Sequence, residues 1–555
     1  MRSPVSSFPV AQRFTIGRFV ETELPESLTR RVILGLIFLS MLLCGQFLSA
    51  QGYTDLYDFP GHSGACCPQH PSLMAEGRDG NLYGITTFGG NNNVGTIFRI
   101  TPSGSYTQLY SFDTVHGSTP VGGLLLGLDG NLYGTTEEGG AYGFGNIFRI
   151  TPAGAFTVMH SFTGDSTKDG GFPVSPLMIG SDGAMYGTTH PGIAFRITTA
   201  GVLTRIATTP SESFGPLLLK NGAYYGTTEF AGATQNGSIY RISGSTSTIV
   251  HSFSGPDGQF PIGGLVEGSD GNLYGTTTAG GTENAGVIFK ITPAGAYTVL
   301  YNFSSKLPLT GYQAYAGLIA GNDGNLYGAT IWGGASGYGV IFEITTSGAY
   351  SVLTSFDAQQ GDGAYATPIQ HTNGAIFGLT KRGGALSDGT IYGFKTGLPT
   401  FAMLTSPVGL VGGSVGIVGT GFATAASVTF NGTPASFHVI SNTFMTATVP
   451  SGETGFVQVT TSAGALTSNK IFKVAPQVLS FSPSSGRVGD SVTVTGTGLI
   501  QTQAITVGGI RVNAYTVNSD SQLTFSVPTG AKTGKIVVST PGGTAQGPGV
   551  FTVNP

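Results

Sequence analysis

Short runs of alternating apolar and polar residues fill the chain from Tyr53 onward, separated by turns rich in Gly, Asp, Asn and Pro. Period-two alternation between such turns predicts strands rather than helices. The runs repeat. Their marker, D-G-N-L-Y-G-T-T, recurs with small changes at 79–86, 129–136, 182–189, 221–228, 270–277, 323–330 and 373–380. Its aromatic falls at Tyr83, Tyr133, Tyr186, Tyr225, Tyr274, Tyr327 and Phe377, at intervals of 50, 53, 39, 49, 53 and 50 residues. Each copy holds four strand signals; in the second they are Gly123–Leu128, Asn131–Thr136, Gly145–Thr151 and Phe156–Phe162. Seven such units predict an all-β, seven-bladed β-propeller over residues 51–397.

Strand order predicts how the ring closes. Tyr53–Phe59 has the pattern of a fourth, outer strand, whereas the last copy ends on a third strand, Gly389–Lys395. The amino-terminal strand is therefore expected to complete the seventh blade. The Asp-Gly pairs are expected to form two-residue hairpin turns with positive φ at both positions, a role Asn221 and Asn373 could share. Calcium is the competing reading of the repeated Asp, but no D-x-D-x-D-G loop accompanies it. The cations of the third strand, Arg99, Arg149, Arg196, Arg241 and Lys290, should form a solvated or paired ring rather than a binding one.

The combination L-Y-G-T-T-x-x-G-G, G-x-I-F-x-I-T-P-x-G and Y-x-x-L-Y-x-F resembles the GloVer tandem repeat of exported bacterial proteins, over about residues 53–397. Pro191 interrupts the Gly-Gly loop in the third copy, and the T-P-x-G turn is lost after Ile242. The resemblance implies a propeller-type fold and export; it implies no activity. Beyond it, residues 398–475 and 476–555 align with each other through Pro407/Pro483, the G-T-G runs at 419–421 and 496–498, and Val449-Pro450/Val527-Pro528. Both resemble IPT/TIG domains, which are immunoglobulin-like β-sandwiches; alternating Val/Thr strands support a sandwich independently.

Composition narrows the function. Only 9% of residues are charged, against roughly 25% in ordinary chains, and the net charge is −4 without a basic run, which excludes a nucleic-acid surface. Arg30-Arg31, the apolar run Val32–Leu48 and Ala50 form a signal peptide over residues 1–50, with a retained anchor as the alternative. No later run has spanning length, so the mature chain is expected to have no membrane span and to be a monomer in the envelope or outside the cell. Adjacent Cys66 and Cys67, flanked by His62 and His70, read as loop thiols or a vicinal disulfide rather than a metal site.

No nucleophile elbow, zinc-binding or phosphate-loop motif is present, and no catalytic residue, metal or cofactor is assigned. His160 and His251 occupy slots held elsewhere by Tyr110 and Tyr301, so they read as packing substitutions. Variable loops should share one face of the ring, opposite the short turns, and binding on a rigid scaffold usually sits in such loops. Their aromatics include Phe88, Tyr142, Phe144, Phe172, Phe230, Phe260, Tyr312, Tyr315, Trp332, Tyr338 and Tyr365. Trp332, Tyr142, Tyr338, Phe88 and Tyr312 are the candidate ligand-binding residues, for a glycan or protein ligand; the competing role for these rings is to plug the blade tops. The expected function is an exported, non-catalytic binding or adhesion protein, with the propeller as head and the sandwiches as stalk or interaction modules. The alternatives are an envelope-polysaccharide hydrolase or lyase using Glu137, Glu138, Glu229 or Glu283, and a purely structural envelope component.

Overall fold

In every blade the glycine of L-Y-G lies opposite the aromatic of the third strand: Gly84 pairs with Phe98, Gly134 with Phe148, and so on to Gly378 with Tyr392. The ring fills the space a side chain would take. A Cβ on Gly134 would lie 2.5 Å from the Phe148 ring and one on Gly378 2.2 Å from Tyr392, so no larger residue fits without displacing the aromatic. The computed structural model describes residues 52–61, 65–66 and 73–555. The expected signal segment, and His62, Cys67 and His70, lie outside the described residues.

Seven four-stranded antiparallel sheets follow one another along the chain. The first is Ala75–Glu76, Leu82–Thr86, Thr96–Ile100 and Tyr106–Ser111; the second is Leu124–Leu126, Leu132–Thr136, Asn146–Ile150 and Phe156–Ser161. The seventh takes Ile369–Gln370, Ile376–Leu379 and Thr390–Phe394, and receives Tyr53–Asp58 as its outer strand, with Tyr53 opposite Phe394 and Asp58 opposite Thr390. Leu73 bridges both Gly123 of the second blade and Thr367 of the seventh, which closes the circle of innermost strands.

Aromatics join the blades. In six of the seven blades a Phe at the end of the outer strand meets the third-strand aromatic of the next blade edge-on, among them Phe112 on Phe148 at 5.4 Å, Phe162 on Phe195 at 5.5 Å, Phe303 on Phe342 at 5.8 Å, and Phe59 on Phe98 at 5.9 Å; the third blade has Ala207 instead. Outside these, neighbouring outer strands stack face to face. Tyr57 lies 3.9 Å from Tyr106, Tyr110 4.0 Å from Phe156, His251 3.9 Å from Tyr297 and Tyr301 4.1 Å from Tyr350. His251 thus does pack in a tyrosine slot, and its Nε2 also lies 3.0 Å from Asp257.

The Asp-Gly turn departs from the expected two-residue hairpin. Only the glycine takes positive φ, 87° at Gly130, except in the fourth blade, where Asn221 (51°) and Gly222 (75°) form the expected pair. The reason is the side-chain oxygen of the first turn residue, which accepts the backbone N–H two residues on; Asn373 does the same with Ala375 (2.9 Å). Asp129 accepts hydrogen bonds from the Asn131 backbone N–H (3.1 Å), the Asn131 side chain (2.7 Å) and the Tyr133 hydroxyl (2.7 Å). The same set recurs at Asp79, Asp270 and Asp323. The seventh blade, with Asn373, has Phe377 in place of the tyrosine. Burial alone would raise these carboxyls, but the Tyr and Asn donors outweigh it and hold Asp129 and Asp270 below the usual range. Two of the five third-strand cations are paired to turn aspartates: Arg196 Nε lies 2.6 Å from Asp182, and Lys290 3.9 Å from Asp270.

The turn face also carries the first sandwich. Thr443 donates to the Arg78 carbonyl (2.9 Å), the Arg78 guanidinium lies 4.3 Å from the Phe444 ring, the Phe401 N–H donates to the Thr372 carbonyl (3.0 Å), and Asn322 donates to the Pro399 carbonyl (2.8 Å). Behind this contact the Glu76 carboxylate, fully buried at the seam of the first and seventh blades, accepts from the Thr372 N–H (2.8 Å) and hydroxyl (2.5 Å). Each sandwich has its own core, the first around Ile417, Phe430, Met445 and Phe472, the second around Val494, Ile505, Leu523 and Phe551.

Deleting residues 52–59 should lower the melting temperature of the whole propeller. The strand's Tyr, Leu and Phe side chains are worth roughly 1.5–3 kcal/mol each when fully buried, and the third strand of the seventh blade would be left as an open edge. Deleting residues 546–555 should leave the propeller transition in place. Calorimetry of the two truncations decides; an unchanged propeller transition in the first would exclude closure by this strand.

The aspartate turns predict an acid dependence. Because the folded Asp129 and Asp270 carboxyls titrate below their unfolded value of about 3.9, their contribution is present above that pH and lost as pH falls through the folded pKa. An Asp129→Asn, Asp270→Asn variant should therefore melt lower than the parent at pH 6, with the difference narrowing as the pH falls below the unfolded value. A difference independent of pH would contradict the charged hydrogen bonds.

Candidate functional site

The face opposite the turns is built on one repeated backbone pattern. The second-strand motif closes on a Thr at or just past the strand's end, and two variable residues follow it: Thr87-Phe88, Glu137-Glu138, His190-Pro191, Glu229-Phe230, Thr278-Ala279, Ile331-Trp332 and Lys381-Arg382. In five blades the N–H of the first of these donates to a carbonyl in the loop that enters the blade. The pairs are Glu137 to Thr119, His190 to Phe172, Thr278 to Phe260, Ile331 to Gln313 and Lys381 to Gly363, at 2.9–3.2 Å. Those five acceptor residues all have positive φ, between 52° and 68°. Their own N–H groups donate backwards to the preceding blade, to Val94, Phe144, Asn236, Ala285 and Tyr338. For Thr, Phe and Gln that backbone is strained, and it persists only because bonds on both sides hold it. Across these five blades the loops vary in sequence while their anchoring does not.

On this lattice the residue two places after the positive-φ position faces the same region as the variable pair. In the fifth to seventh blades these are Ile262, Tyr315 and Tyr365, and with Glu229, Thr278, Ala279, Gln313, Ile331 and Trp332 they line a cavity of about 320 Å³. Tyr315 and Tyr365 lie 4.9 Å apart, inclined at 58°. The Lys381 ammonium lies 4.7 Å from the Tyr365 ring and the Arg382 guanidinium 5.7 Å from the Trp332 ring. Arg382 Nε is 3.2 Å from Asp362, whose carboxyl burial pushes up and Arg382 pulls back.

Acidic groups begin in the cavity wall itself, at Glu229, and continue to Glu212 and Glu137. Burial raises the Glu229 carboxyl, and Glu212 raises it further. Glu137 is raised by burial and by Glu138 and Glu212, with His190 opposing. His190 Nδ1 lies 3.3 Å from Glu212. Burial, Glu229 and Tyr365 together push the Tyr315 hydroxyl up to about 12. Among the described residues no group of three or more His, Cys, Asp and Glu is placed to hold a metal ion.

Of the residues singled out from sequence, Trp332 lines the cavity. Tyr312 is bridged to it through the backbone but packs its ring in the core between the fifth and sixth blades. Tyr338 packs toward the seventh blade, Phe88 is half-buried with its backbone paired to Cys66, and Tyr142 stands 61% exposed. The structure brings none of these four into the cavity wall. Tyr315 and Tyr365 stood among the loop aromatics but not among the candidate binding residues, and Gln313 was not singled out; aligning the seven copies at the positions flanking the entry loop sets them apart. Glu229 is a wall residue, whereas Glu283 is tied to Lys306 at 2.6 Å.

The model of the Gloeobacter/Verrucomicrobia repeat matches residues 46–200 and 210–433, and that of the IPT/TIG domain matches 399–472 and 476–553. No curated protein matches the chain. Among solved structures, the surface glycan-binding protein PbSGBP-B from Prevotella bryantii is 23% identical over 26% of this chain and 37% of its own, with a TM-score of 0.21. SGBP-B from a xyloglucan utilization locus of Bacteroides uniformis is 26% identical over 28% and 48%, with a TM-score of 0.15. A fungal alcohol oxidase of the AA5 family, in complex with copper, is 13% identical over 77% and 100%, with a TM-score of 0.44. The chain spans less than half the length of either glycan-binding protein, and scores this low carry neither ligand nor chemistry across. Among the described residues no helix is long and apolar enough to cross a membrane. Because the repeat model covers more than half of its length, the chain belongs to the Gloeobacter/Verrucomicrobia repeat family, with two IPT/TIG domains following the repeats.

Proposed function

We propose that the protein is an exported glycan-binding protein, with the propeller as the binding head and the two sandwiches as its stalk. The observation that carries this reading is the cavity wall of Tyr315, Trp332 and Tyr365 beside Gln313, Glu229 and Thr278. Flat aromatic walls accept the C–H face of a sugar ring, and amide, hydroxyl and carboxyl groups at their edges meet its hydroxyls. The first sandwich sits on the opposite, turn face, so the cavity side is the one left to a ligand. Its strained entry loops are held before any ligand arrives, which reduces the ordering cost of binding.

A second reading is a polysaccharide hydrolase or lyase. It is favoured by Glu229, a cavity carboxyl raised by burial and by Glu212, as a general acid requires.

The purified protein should bind members of a glycan array without cleaving them. Replacing Tyr315, Trp332 and Tyr365 together by Ala should weaken that binding at least tenfold, while Tyr142→Ala should leave it unchanged. Calorimetric titration, with thermal melts as a folding control, measures both. Unchanged affinity in the triple variant moves the site elsewhere, and product release abolished by Glu229→Gln establishes the enzymatic reading instead.

A further inference from the structure

The variable face is electrically divided. Of the fourteen residues at its seven variable pairs, the only Lys and Arg are Lys381 and Arg382, adjacent on the seventh blade; the acids Glu137, Glu138 and Glu229 stand on the second and fourth. Both cations are placed over cavity aromatics, Lys381 at Tyr365 (4.7 Å) and Arg382 at Trp332 (5.7 Å). The second distance is near the outer limit of a cation–π contact, so the guanidinium flanks the indole without sealing it.

Arg382 is aimed as well as placed. Its backbone is bonded in both directions to Asp362, and its Nε lies 3.2 Å from the Asp362 carboxylate. Asp362 is itself largely buried, with 13% of its side chain exposed, while Arg382 is 49% exposed. The carboxylate therefore anchors one edge of the fork, leaving both terminal amino groups of the guanidinium to other partners. A guanidinium held by one nitrogen suits a second, planar anion, since two parallel N–H donors match the two oxygens of a carboxylate. Lys381 adds a point charge beside the neighbouring ring.

We propose that the ligand is an acidic glycan, a polymer containing hexuronic acid residues. One uronate ring would lie in the cavity against Tyr365 and Trp332, with its carboxylate between Arg382 and Lys381. A hexuronate joins an apolar ring face to a carboxylate at the ring edge, the same pairing that the two aromatics and two cations offer. Glu229, in the same cavity wall near Tyr315, would repel that carboxylate, so the uronate is turned with its carboxylate toward the seventh blade. This inference rests on the glycan-binding reading and deepens it.

The test uses the full chain and matched probes: tetrasaccharides of α-1,4-galacturonate, β-1,4-glucuronate and β-1,4-mannuronate, each beside its carboxyl-reduced neutral form. At least one uronate should bind ten times or more tightly than its reduced partner, and its affinity should fall as salt rises. A Lys381→Met, Arg382→Gln variant, which keeps the apolar stems, should lose that preference, with a thermal melt as the folding control, and Lys381→Met alone, which leaves the Arg382–Asp362 pair in place, should reduce it. Equal binding of acid and reduced forms, or a preference that survives in the variant, overturns the acidic-ligand assignment. Binding confined to neutral glycans on an array also overturns it but leaves the glycan-binding reading standing; binding to no glycan of either kind ends both.

Discussion

Each blade depends on one close approach, the third-strand aromatic lying against bare glycine backbone on the second strand. With a Cβ at that glycine the ring could not lie flat in the sheet, and its outer edge could not meet the Phe arriving from the neighbouring blade. Packing within a blade and packing between blades are thus one interaction seen from two sides. That explains how a chain with so few charges and so many glycines forms large, well-filled cores. The glycines are slots for rings, and the aromatic fraction fills them.

The two faces of the ring divide the labour. On the turn face the aspartate carboxylates are committed to their own Asn and Tyr neighbours, and the first sandwich covers part of what remains. On the other face the backbone bonds are equally regular, but they leave two side chains per blade unconstrained by the repeat. Chemistry can change there without changing the fold. The differences among the blades at those positions, acidic on one side and cationic and aromatic on the other, give the face its character.

Much of this was legible in the sequence. Seven copies of one motif, with four strand signals each, announced the sheets, and the displaced outer-strand pattern at Tyr53 announced where it would pair. The Asp-Gly turn was misread because a dipeptide rule describes backbone preference alone; here the Asp129 side chain accepts the Asn131 N–H, as Asn373 accepts that of Ala375, and this changes the turn. The cavity was only partly legible. Trp332 stood out, but Tyr315 and Tyr365 could not be told from Tyr312 and Tyr338, because which rings point inward depends on the positive-φ residue two places earlier. That conformation appears at Thr119, Phe172, Phe260 and Gln313, residues with no intrinsic preference for it, so no local signal marks it.

The central claim is that the variable face is a fixed lattice bearing exchangeable side chains. Amide hydrogen exchange on the free protein tests it most directly. The amides of Glu137, His190, Thr278, Ile331 and Lys381 lie just beyond the ends of strands, yet each is bonded to an entry-loop carbonyl. They should exchange as slowly as the strand amides beside them, with opening free energies approaching that of global unfolding. Exchange at the rates of unstructured loops would show that the face is not held in advance, and would contradict the account.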